Sequence, residues 1–236
     1  MLHSGSTVQL SRRFDRHIFN ALDPVEDAEN AVGQGNFFND YIDVARNLFH
    51  AHGVQDTFGI CLLHNHFPCG EGEKAIEREE LIDGERALVT RPSAEPGDED
   101  QAAPVSWALR DGMLFPLEYS ADPTAIEHFQ GAQLTADFLR DFSVLSQSSP
   151  IGQWLGLAIC DRSFYDKGKQ DQRAVEYPSV EARANVVFMR DWTADLGRSI
   201  ETAWSLAGPA DRGLKICKKS CQAYGDQQHA QHHAPA

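Results

Sequence analysis

The feature that most limits this chain is a pair of Asp-Gly dipeptides, each set between two strand-like runs. KAIEREELI and ERALVTR flank Asp83-Gly84, while VSWALR and MLFPLEYS flank Asp111-Gly112. Asp-Gly tolerates the positive φ angles of a primed two-residue turn, so each unit predicts an antiparallel hairpin. Pro116 donates no ladder hydrogen bond and belongs at an edge or a bulge. FGICLLHNHF (58–67) and IGQWLGLAICD (151–161) are apolar on both faces and are expected to be buried neighbours in one sheet. Residues 181–192 and 199–206 add two more strands.

Helical periodicity is clearest over 36–52, where Phe38, Ile42, Ala45, Leu48 and Phe49 share one side. Asn36 caps its start and Gly53 suits its end. The stretch after Pro123 reads as two helical pieces parted near Gly131. Residues 25–35 read as a loop or frayed helix, and 92–104, rich in proline and carboxylates, as an exposed loop. Residues 162–179 read as a long polar connection. Strand runs and helix runs that do not alternate predict an α+β fold: a largely antiparallel sheet with hairpins, one main N-terminal helix and a central helix pair. The expected division is a polar segment 1–35, a single domain 36–206 and a Cys/His-bearing tail 207–236.

The chemistry concentrates in FGICLLHNHFPCGEGE (58–73). On an extended strand His64 and His66 lie on one face, close enough to share a cation, and neutral imidazole binds zinc, copper and iron. Glu71 and Glu73 offer a third, oxygen ligand or a general base. His64, His66, Glu71 and Glu73 are therefore the candidate catalytic residues, and His64, His66 and Glu71 candidate metal ligands. The competing reading makes both histidines hydrogen-bonded structural groups, because ten histidines in 236 residues produce such pairs by chance. His50 and His52 suit a helix end. His128 is either a third ligand brought in by folding or a half-buried helix histidine.

The tail holds a second cluster: Cys217, Cys221, His229, His232 and His233. Thiolate and imidazole are the ligands zinc favours, although the spacing is not that of a finger. Cys217, Cys221, His229 and His232 either join the metal-ligand set begun by His64 and His66 or belong to a disordered end with reduced thiols. A divalent transition metal, zinc foremost, is the expected cofactor.

A net charge of −14 and a pI near 5.0 argue against nucleic acid and against anionic membrane surfaces as partners. No apolar run is long enough to span a bilayer, and the first residues do not read as a secretory signal. Five cysteines, odd and sparse, suit thiols in a reducing cytoplasm. No glycine-rich phosphate loop and no GxSxG elbow is present.

Gly59, His64, His66 and Glu71 resemble part of the first cupin motif, with a different Gly-to-His spacing and no second motif; that resemblance implies a metal-holding barrel. More widely, the helix and HGVQDTFGICLLHNHF of 36–67, ETAW (201–204) and the Cys/His-bearing end resemble an uncharacterised group of fungal proteins. That implies a fungal intracellular protein and brings no activity. The functional expectation is a soluble intracellular metal-binding protein, extending to a metal-dependent enzyme acting on a small molecule. The alternatives are a non-enzymatic binding or scaffold protein and a metal-free His/Glu acid–base enzyme of secondary metabolism.

Overall fold

A computed structural model describes residues 9–10, 13–33, 37–95, 101–131, 134–166, 172–191, 199–207 and 215–218. The strands are β1 (Gln9–Leu10), β2 (Phe58–Leu62), β3 (Lys74–Ile82), β4 (Glu85–Ser93), β5 (Ala103–Arg110), β6 (Met113–Ser120), β7 (Leu155–Ile159), β8 (Gln172–Ser179), β9 (Ala184–Asp191), β10 (Ser199–Ser205) and β11 (Lys215–Lys218). The helices are α1 (Arg16–Asn20), α2 (Val25–Val32), α3 (Phe37–Ala51), α4 (Pro123–Gly131), α5 (Ala136–Ser148) and α6 (Ser163–Asp166).

All the strands join one curled sheet in the order β1-β6-β3-β4-β9-β8-β11-β10-β2-β7-β5, and β5 also pairs with β6, which brings the ends of the curl together. The sheet is mixed: β1–β6, β3–β6 and β8–β11 run parallel. This corrects the expected α+β fold. The molecule is largely sheet, with helices as minor elements. The difference has a physical source, because a strand facing a polar interior carries charges that look like solvent exposure. Residues 172–179 are such a strand, where a polar connection was expected.

Both Asp-Gly turns take the primed form. Asp83 and Gly84 have φ of 53° and 84°, and Asp111 and Gly112 have φ of 49° and 76°. Pro116 falls between the segments of β6 that pair with β1 (Met113, Leu114) and with β3 (Glu118–Ser120). On its other side the β5 register shifts between Ser106 and Trp107. Its missing N–H is thus accommodated. β2 and β7 pair antiparallel from Phe58↔Ile159 to Leu62↔Leu155, as their shared apolar character predicts.

The period of two then separates two environments. Phe58, Ile60 and Leu62 of β2, Leu155, Leu157 and Ile159 of β7, and Val105, Trp107 and Leu109 of β5 face outward. There they meet Tyr41, Ile42, Ala45 and Phe49 of α3 and Phe138 and Phe142 of α5. Val25, Ala28 and Val32 of α2 enter the same core. Each large side chain buried there is worth about 1.5–3 kcal/mol, so this wall is the firm part of the fold. The concave side of the same strands carries Cys61, Ala108 and Ala158, joined by Leu63, Leu117, Ala203 and by Phe19 and Leu22 around α1. Small residues on that side leave room inside the curl.

Candidate metal centre

β2 stops at Leu62, so His64 and His66 sit on the segment that leaves it. Side-chain amides fix this segment. Asn65 accepts from Phe67 N at 2.8 Å and donates to the Phe19 carbonyl at 3.2 Å. Asn20 accepts from Cys69 N at 2.8 Å and donates to the Cys69 carbonyl at 2.9 Å. The two rings stand nearly perpendicular, at 86°, with centroids 4.6 Å apart and Nε2 atoms 3.1 Å apart. Their side chains are 6% and 5% exposed.

The His64 tautomer follows from its partner. Nδ1 lies 2.8 Å from the Leu62 carbonyl, which can only accept, so Nδ1 carries the proton and Nε2 the lone pair. The Nε2–Nε2 contact is then a hydrogen bond from His66 to His64. A cation in place of that single proton makes both Nε2 atoms ligands. A backbone carbonyl holding the far nitrogen of a ligating histidine is the support such ligands ordinarily have.

The acid comes from β8. Glu176 is 1% exposed and reaches both rings, with Oε2 3.7 Å from His64 Nε2 and Oε1 3.6 Å from His66 Nε2. The two imidazole nitrogens are 3.1 Å apart and lie 3.7 and 3.6 Å from different oxygens of the carboxylate, against about 3.3 Å between ligand atoms of a tetrahedral ion with bonds of about 2.05 Å. The His64–His66–Glu176 group could therefore hold a metal ion, and its ligand atoms all lie within 4.8 Å of one another.

Around the carboxylate, Lys215 Nζ lies 2.8 Å from Oε1, Asn185 Nδ2 donates to Oε1 at 2.9 Å and Thr202 Oγ1 donates to Oε2 at 2.8 Å. Burial alone would raise the Glu176 carboxyl, but the Lys215 ammonium and the two imidazoles outweigh it and hold it well below the ordinary carboxylate range. Burial, followed by the neighbouring His64, lowers His66 and keeps its ring neutral, which is the form that ligates. Nδ1 of His66 is buried and has no hydrogen-bond partner among the described residues.

The residues read from the sequence fall in several places. His64 and His66 come together. Glu71 is exposed on a turn, and Glu73 accepts from Gly70 N and pairs with Arg183, each at 2.5 Å. The acid that meets the imidazoles is Glu176, not Glu71 or Glu73. His52 pairs with Asp141 at 3.1 Å and His128 with Asp161 at 2.7 Å, both away from the centre. The Cys217 backbone lies in β11, in register with Glu176 and Ile200. Cys221, His229, His232 and His233 lie outside the described residues. Sequence reasoning missed Glu176, Lys215, Thr202 and Asn185. A signal did exist for the first: a lone glutamate between Val175 and Tyr177, in a run of good strand formers.

The centre borders a cavity of about 40 Å³. Phe19, Leu22, Leu63 and Leu117 supply apolar lining. Arg162 adds a second buried charge, with Nη1 donating to both oxygens of Glu77 at 2.7 and 2.8 Å and Nε donating to the Ile159 carbonyl at 2.9 Å.

The fold and site define a class: a curled mixed sheet with a cavity, beside which stands a His-His-Glu group able to hold a metal ion. No family model, no curated protein and no solved structure matches the chain. No described helix is long and apolar enough to cross a membrane.

Proposed function

We propose that the protein binds one divalent transition metal, zinc first, at His64, His66 and Glu176, and works on a small molecule in the adjoining cavity. The observation that carries this is the convergence of two imidazole nitrogens and a carboxylate, with the His64 lone pair fixed toward the common point by the Leu62 carbonyl. Two histidines and a glutamate are a set used by catalytic zinc, which keeps a further position for water or substrate. A bound ion there supplies a Lewis acid and a water of lowered pKa. Asn185 and Thr202 orient the carboxylate, and the apolar lining limits water. Cys61, Cys69 and Cys160 are buried free thiols, which supports a reducing, intracellular setting.

Element analysis of untagged protein never exposed to chelator tests the metal. One equivalent of zinc in the wild type, lost in His64→Ala, is the expected result. Less than a tenth of an equivalent of any transition metal ends the reading, and one equivalent of iron instead moves it to the facial-triad oxygenase type.

A second reading has its own observation. Lys215, Glu176, His66 and His64 form a continuous line of proton-bearing and proton-accepting groups. That line suits metal-free acid–base chemistry at the same place.

A further inference from the structure

The fixed charge around the cavity has a sign that the metal reverses. Lys215 and Arg162 bring two cations to the lining and Glu176 and Glu118 bring two carboxylates, while Glu77, outside the lining, pairs with Arg162. With neutral imidazoles these five groups, Glu77 included, total one formal negative charge. A divalent ion at His64, His66 and Glu176 turns that into one formal positive charge. Uncompensated charge is costly where little water reaches it, so the loaded cavity favours a ligand bearing one negative charge.

Two other observations describe that ligand. Among the described residues, the Lys215 ammonium spends one of its three N–H groups on Glu176. Phe19, Leu22, Leu63 and Leu117 make part of the lining apolar, and small residues on the concave strands, Cys61, Ala158 and Ala203, leave space inside the curl. A hydroxide on the ion would balance the charge yet leave those apolar walls facing water.

Resting on the metal reading above, we infer that the cavity takes a small monocarboxylate with an apolar body. Its charged end lies beside the ion and Lys215, and its body lies against Phe19, Leu22, Leu63 and Leu117.

Titration calorimetry on the full chain, with and without zinc, tests this using benzoate, acetate and benzyl alcohol as probes. Benzoate is expected to bind the zinc-loaded protein one to one, at least about tenfold tighter than the zinc-free protein. Acetate lacks the body and benzyl alcohol lacks the charge, so each should bind at least about tenfold more weakly than benzoate. By linkage, benzoate should tighten zinc by the same factor that zinc tightens benzoate. One equivalent of bound zinc together with zinc-independent benzoate, or with benzyl alcohol or acetate equal to benzoate, overturns the carboxylate inference and leaves the metal reading standing. Absence of zinc binding overturns both.

Discussion

Nζ of Lys215 lies 2.8 Å from Oε1 of Glu176, and the carboxylate has 1% of its side chain exposed. Neither charge is well placed to recover its hydration, so each depends on the other. Lys215→Met keeps the length and removes the charge. The expected cost is about 3–5 kcal/mol in urea unfolding, since breaking a buried pair leaves an uncompensated ion. Zinc should restore more stability to this variant than it adds to the wild type, because a cation then meets a carboxylate with no ammonium beside it. A variant as stable as the wild type would show that the pair is dispensable.

The ligand set predicts a pattern across acidic residues. Glu176→Gln preserves shape and is expected to lower zinc affinity at least about 100-fold, measured by competition with a chromogenic chelator. Glu71→Gln and Glu73→Gln should leave zinc affinity unchanged. Glu73→Gln removes a part-exposed pair with Arg183, so its stability cost should stay below about 1 kcal/mol.

Gly59 sits where β10 crosses close to β2. A Cβ there would lie 2.2 Å from the Trp204 carbonyl oxygen and 2.5 Å from Cys160 Sγ. Gly59→Ala therefore forces the strands apart and should cost about 1–3 kcal/mol in chemical denaturation. Gly131, the last residue of α4, has nothing among the described residues within 4 Å of its Cβ position. Gly131→Ala should change stability by no more than about 0.5 kcal/mol in either direction. Equal costs at the two positions would contradict the close approach.

Burial pushes the thiols of Cys61 and Cys69 up to about 12 and that of Cys160 up to about 11. An unfolded thiol titrates near about 8.5, so above that pH the folded state holds protons that the unfolded state has released. The stabilisation is complete below the unfolded value and disappears as pH rises through the folded values. The melting temperature should fall between pH 9 and about 11. At pH 8 a thiol reagent should label these three cysteines only after denaturant is added. Rapid labelling of the native protein would show that these thiols are accessible.

Legibility in the sequence followed the range of the interaction. The Asp-Gly hairpins, α3 and the β2–β7 pairing rest on local turn chemistry and unbroken apolar runs, and they were readable. His64 and His66 were readable as a pair, but the strand geometry expected for them was not what joins them. Asn65 and Asn20 hold that segment in a looped path, and the rings meet by that route. The third group was hidden because Glu176 and Lys215 occupy inward positions of sheet strands. Glu176 lies within 162–179, a stretch that is polar as a whole, and Lys215 shares its four-residue strand with Lys218. The α+β expectation failed for the same reason, since it read 172–179 as part of a polar connection rather than as a strand.

The pairing of β8 with β11, and through it with β10 and β2, is what carries Glu176 to the imidazoles. Groups so distant along the chain become neighbours only when the curl is assembled, and long-range pairings of this kind form late and slowly. An ion spanning them would act as a latch on a finished structure. Its grip lengthens the lifetime of the native state while leaving the pace of assembly alone, so zinc should slow unfolding in stopped-flow denaturation and leave refolding rates where they were.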